Sequence, residues 1–154
     1  FSPPPGLYQI EVRRAGYQPY RSPALLSNGG LPAPDIALLP EVAGNPDYVV
    51  GIDESGFQER VLVIPPDTIV EWVNLDTDTH TVTGSGIGGL QLQANGSTDS
   101  GLLPAGDSYR LQLTDVGSYS FSDGRDSGNT MTIIVDANAQ AADSRTLYLP
   151  LIQR

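Results

Sequence analysis

Arg60-Val61-Leu62-Val63-Ile64-Pro65-Pro66-Asp67-Thr68-Ile69-Val70-Glu71-Trp72-Val73-Asn74 is the stretch that decides how this chain folds. β-branched and aromatic residues crowd both halves, and Pro65-Pro66-Asp67 interrupts them, so the pattern predicts two strands, 60–64 and 68–74, joined by a turn. Side chains alternate across a strand, which sets Val70 and Trp72 on one face. Working outward, further short apolar runs predict strands at 80–83, 108–113, 118–121 and 130–135. Their alternation adds Val82, Leu111, Tyr119, Ile133 and Val135 to the expected core. Residues 41–56 read as a connection, and 84–100 as a Gly- and Ser-rich excursion with little core. Strands at this spacing indicate an all-β sandwich.

The composition agrees. Of 154 residues, 17 are Gly and 13 are Pro, and no stretch of ten or more keeps helical periodicity. That length suits one good core or two small ones. The net charge is −10, all eight basic residues are Arg, and 18 carboxylates cover the surface. Such acidity argues against nucleic acid or an anionic membrane as partner. With no Cys there is no disulfide, thiolate metal site or cysteine nucleophile. No apolar run approaches the ~20 residues that span a bilayer, so no membrane span is expected. The chain starts at Phe1 without a leader, which reads as an internal residue of a longer secreted precursor; the expected location is extracellular or the cell surface.

Outside the central unit lie two other segments. Residues 1–43 are Pro-rich yet too apolar for a disordered linker. They predict strands at 7–13, 17–22 and 35–39, with a turn at Ser27-Asn28-Gly29-Gly30. At the other end, 137–143 reads as a linker and 145–154 as a strand. There Leu147, Leu149 and Leu151 share one face, and Tyr148, Pro150 and Ile152 the other.

Two resemblances follow from these motifs. Pro4-Pro5-Gly6-Leu7-Tyr8-Gln9-Ile10-Glu11-Val12, then Ala15-Gly16-Tyr17, then Asp35-Ile36-Ala37-Leu38 resemble the last half of a carboxypeptidase-regulatory-like (transthyretin-like) domain. The first half of that domain has no counterpart here. The region 46–136 resembles the plastocyanin-like cupredoxins through four motifs in order: Val63 to Asn74 as quoted above, His80-Thr81-Val82-Thr83, Asp99-Ser100-Gly101-Leu102-Leu103-Pro104-Ala105-Gly106-Asp107-Ser108-Tyr109, and Gly117-Ser118-Tyr119-Ser120-Phe121. The resemblance implies a cupredoxin-like Greek-key β-sandwich at 46–136, with a partial second β-sandwich at 1–43 and a linker and C-terminal strand at 137–154.

It also implies where copper would sit. A blue-copper site takes two imidazoles, a thiolate and a weak axial thioether. The first His position is kept as His80. The family's spacing puts Asp123 in the Cys position, Asp126 in the second His position and Asn129 in the Met position. With no other His and no Cys in the chain, no type 1 copper, no other cofactor and no metal is expected. A hard cation on Asp123, Asp126 and Asn129, with Asp76 and Asp78 nearby, is the alternative; a tight turn held by side chain–backbone bonds and an ion pair of Arg125 is the simpler reading. His80 alone reads as a packed histidine.

No catalytic residues are assigned: His80 is the one available base, and no Ser or carboxylate pair is placed with it in an identifiable cleft. Asn95-Gly96-Ser97 is a glycosylation sequon. The expected role is a structural subunit of an extracellular filament or surface assembly. Copies would self-associate by strand pairing through Leu147, Tyr148, Leu149, Leu151 and Ile152, with the incomplete 1–40 segment as acceptor. A non-catalytic binding or spacer module of a larger secreted protein is the alternative.

Overall fold

The computed structural model describes residues 4–23, 25–27, 36, 38–86 and 97–140. Among them there is no helix. Four short strands come first: β1 (Gly6–Tyr8), β2 (Glu11–Val12), β3 (Tyr20–Arg21) and β4 (Leu25–Ser27). Nine more build the body: β5 (Tyr48–Asp53), β6 (Gly56–Phe57), β7 (Val61–Ile64), β8 (Thr68–Asn74), β9 (Thr83–Gly86), β10 (Ser97–Asp99), β11 (Ser108–Leu113), β12 (Gly117–Asp123) and β13 (Asp126–Val135).

These nine make a β-sandwich. One sheet has the order β10-β9-β12-β13-β7, the other β11-β8-β5-β6. Two neighbour pairs run parallel, β5 with β8 and β7 with β13. Alternation sends Val70 and Trp72 of β8 inward against Tyr119, Phe121, Met131, Ile133 and Val135 of the facing sheet. All seven expected core residues are buried, from Val70, Trp72, Val82 and Ile133 at 0 % exposure to Leu111 at 6 %. Trp72 is the centre: its ring centroid lies 4.8 Å from that of Phe121 and 6.0 Å from that of Tyr109. Its indole N–H points at the Met131 sulfur, 3.1 Å away.

The structure corrects several expectations. Residues 41–56 hold β5, an interior strand of the four-stranded sheet with Val50 and Ile52 buried. Gly51 disguises it as a loop. A Cβ there would meet only the far ends of the exposed Gln58 and Leu75 side chains, which can move aside. The strand expected at 80–83 begins at Thr83 instead, and His80 makes one isolated bridge to Leu103. The described residues of the 84–100 excursion hold strands: β9 and β10 pair there, and Thr98 is fully buried and bonded to the Tyr109 hydroxyl. Its small residues are packing choices, since Phe121 and Thr98 fill the place of a Cβ at Gly84.

The N-terminal segment also differs. The run 7–13 breaks at Gln9-Ile10, so β1 pairs with β4 and β2 with β3. The expected strand at 35–39 carries no ladder at its described residues, although Leu39 reaches the core and Pro40 bridges Tyr17. Residues 17–22 pack on the sandwich. The Gln18 side-chain amide donates to the Arg110 carbonyl at 2.7 Å and accepts from the Arg110 N–H at 3.0 Å, like one peptide group of an added strand along the edge of β11. The Leu102 N–H donates to the Arg21 carbonyl at 2.8 Å, and Arg21 pairs with Asp107. The tail residues Leu147, Tyr148, Leu149, Leu151 and Ile152, and the sequon asparagine, lie outside the described residues.

Candidate functional site

At one end of the sandwich, β12 turns into β13 through Gly124-Arg125, with Asp123 opposite Asp126. The tight turn expected over Asp123–Asn129 is a two-residue hairpin turn, and the residues from Asp126 on already belong to β13. Asp123 ends β12 pointing inward and is 1 % exposed. A carboxylate there needs partners for both oxygens. One oxygen accepts from the Thr81 N–H at 3.0 Å and the Arg125 N–H at 3.2 Å. The other lies 2.6 Å from Nδ1 of His80.

His80 is held from both sides, with Nε2 3.0 Å from the Asp76 carboxylate. The loop bearing Asp76 is fixed by Asn74, which ends β8. Its amide N–H₂ donates to the carbonyls of Asp78 at 2.6 Å and Leu103 at 2.8 Å, and its side-chain oxygen accepts from the Asp76 N–H at 2.8 Å. The result is a line Asp76–His80–Asp123 joining the β8 exit loop to the β12–β13 hairpin.

Its electrostatics are one system. Burial alone pulls the His80 pKa down; the bonds to Asp123 and Asp76 and their charges outweigh it, and the net shift is upward. Burial pushes Asp123 up, but the bond from His80 and the backbone N–H groups of Arg125 and Thr81 carry it below the usual carboxylate range. The His80 bond lowers Asp76 as well. An imidazolium donating through both N–H groups to two carboxylates satisfies all three shifts.

The other two positions belong to different networks. Asn129 is 3 % exposed, and its side-chain oxygen accepts from the Phe57 N–H at 2.9 Å and the Arg60 guanidinium at 3.3 Å. It lies where a Cβ on Gly56 would stand, and Gly56 has φ +102°, so that position needs glycine twice over. Asp126 is exposed and accepts from the Gly128 N–H at 3.0 Å, closing its own turn. Arg125, expected to form an ion pair, donates mainly to the Thr79 carbonyl at 2.8 Å, with Asp78 3.9 Å away.

The four positions named from the sequence therefore split. His80 and Asp123 come together, while Asp126 and Asn129 do not join them. This donor set does not fit type 1 copper: both His80 nitrogens are engaged by carboxylates, and an already bonded oxygen donor stands where a soft thiolate is required. Among the described residues, no group of three or more acidic or imidazole side chains is arranged to hold a metal ion. Sequence reasoning underrated Asp76, because in a loop its spacing to His80 says nothing about contact. It missed Asn74, which fixes the Asp76 loop, and the Arg60 guanidinium and Phe57 N–H, which hold Asn129 in its separate network; such tertiary partners leave no mark in residue order.

The fold has known counterparts. A Cu(I) form of a methionine-to-alanine mutant of amicyanin matches with a TM-score of 0.51 at 18% identity, over 62% of this chain and 87% of that one. A reduced Cu(I) form at pH 4 of a proline-to-glycine mutant matches with a TM-score of 0.52 at 19% identity, with the same coverage. At these identities the likeness shows the cupredoxin-like fold alone. No family model matches the chain, and no curated protein does.

Proposed function

We propose that this chain is a non-catalytic structural unit of an extracellular filament or surface assembly, built on a cupredoxin-like sandwich whose copper position has become an internal lock. The observation that carries this is the Asp76–His80–Asp123 line. It uses both imidazole nitrogens to tie a loop to a hairpin, so the one imidazole has no free nitrogen for a metal or for activating a nucleophile. Among the described residues no buried side-chain nitrogen or oxygen lacks a partner, as suits a site that holds structure rather than binds.

In this reading, copies join by strand pairing through the 145–154 segment, and residues 1–43 belong to a carboxypeptidase-regulatory-like domain. The docking of Gln18 and Arg21 on the sandwich favours a second reading, a spacer module within a larger secreted protein, because it ties the N-terminal segment to the sandwich. Deleting residues 145–154 separates the readings. For the assembly, the native chain sediments as oligomers and the truncated one as a folded monomer. Oligomers that persist unchanged in the truncated protein would sink strand exchange through the tail, and a native chain that stays monomeric would favour the spacer.

A further inference from the structure

We propose that the open edge of β7 is the acceptor for residues 145–154 of a second copy. This rests on the assembly reading above and names the surface that reading needs.

β7 ends the five-stranded sheet. One side pairs with β13, and among the described residues no strand pairs with the other. The remaining sheet edges are poorer acceptors. The edge of β11 is taken by the Gln18 amide, which also closes the side nearest the 1–40 segment. β10 has three residues and β6 two. β7 also exposes apolar side chains: Val61 is 57 % exposed and Val63 48 %, with Ile134 beside Val63 at 38 %. The columns continuing across that face carry Thr132, Ser118 and Ser120, so the surface beside the edge is uncharged in a protein of net charge −10.

Charge supplies the choice of occupant. Glu59 precedes β7 and is exposed. Asp67 follows it, and Asp136 stands at the same end, its N–H donating to the Ile64 carbonyl at 2.9 Å. The 145–154 segment has Arg145 and Arg154 at its ends and no carboxylate between them. In extended form, at ~3.3 Å per residue, the segment 145–154 outreaches the four residues of β7 and carries one arginine past each end. An added strand thus sets a cation near a carboxylate at each end of β7, whichever direction it runs. Pro150 has no N–H and must face away from the ladder; the alternate residues Leu147, Leu149 and Leu151 then turn their backbone donors toward β7.

The test uses the absence of Cys from this chain. The centre of the 145–154 segment falls opposite Val63, so two double variants sample its two faces: Val63→Cys with Leu149→Cys, and Val63→Cys with Tyr148→Cys. Each is oxidised beside its single variants, with the near-ultraviolet signal of Trp72 confirming the fold. The expected result is a shift from monomer to a ladder of disulfide-linked dimers and larger species in one double variant, absent from the singles. If neither double variant cross-links while the native chain assembles and loses assembly on deletion of 145–154, β7 is not the acceptor and the assembly reading survives. A disulfide confined within monomers overturns the second copy as donor. A native chain that is monomeric at every concentration removes the assembly reading and this proposal together.

Discussion

Asp123 shows what one buried charge asks of its neighbours. A buried carboxylate at the end of β12 is costly without a counter-charge, and His80 and Asp76 answer that cost together. The arrangement has a pH signature. The raised pKa of His80 means its contribution is full below the unfolded imidazole value and fades as pH rises through the folded one. The lowered pKa values of Asp76 and Asp123 mean theirs is full above the unfolded carboxylate value and fades as pH falls through the folded ones. The lock is therefore strongest between those ranges. Melting temperature against pH should form a dome, and Asp123→Asn should lower it most within that window. The proton of His80, followed by NMR, should titrate above the ordinary imidazole range in the native chain and fall back in the variant. A native His80 titrating below that range would show that burial wins and the three-group line does not carry charge.

Among the elements, β8 is the one on which the others are registered. It lies between β11 and β5, and its alternation places Trp72 against Phe121 and Met131 of the opposite sheet. Trp72→Ala should cost ~3–5 kcal/mol in a denaturant titration, as large core deletions do. A loss of under ~1 kcal/mol would place Trp72 at the surface and break the register. β8 was legible from sequence because β-branched and aromatic residues crowd it and Pro65-Pro66-Asp67 marks its start. β5 was not, since Gly51 interrupts its apolar run and the turn residues Asp53-Glu54-Ser55-Gly56 follow at once. The hairpin at 123–126 was half legible: its turn residues announced a turn, and nothing local announced that Asp123 would be drawn inward by an imidazole 43 residues earlier in the chain. The site followed the same rule, with residue identities readable and partners set by tertiary contact.

For the molecule as a whole, the parallel pairs decide where tension would enter the sandwich. β5 runs parallel to β8 and β13 parallel to β7. β7 and β8 meet at Pro65-Pro66-Asp67, and there β5 begins and β13 ends: the Asp47 N–H donates to the Ile69 carbonyl and the Asp136 N–H to the Ile64 carbonyl, both at 2.9 Å. Residues 46 and 136 therefore leave the nine-strand body at the same end, opposite the turn between β12 and β13. A pull between them acts across the strands and parts them bond by bond from that end. A pull between residue 46 and Gly124, at the far end, acts along the strand axes and loads whole ladders together, in shear. Forced unfolding is governed by the unfolding barrier rather than by equilibrium stability. A single-molecule experiment should therefore meet a distinctly higher rupture force between 46 and 124 than between 46 and 136. Equal forces in the two geometries would deny the strand directions this role. The sandwich thus has a strong axis and a weak one, and the two ends of its nine-strand body lie on the weak one.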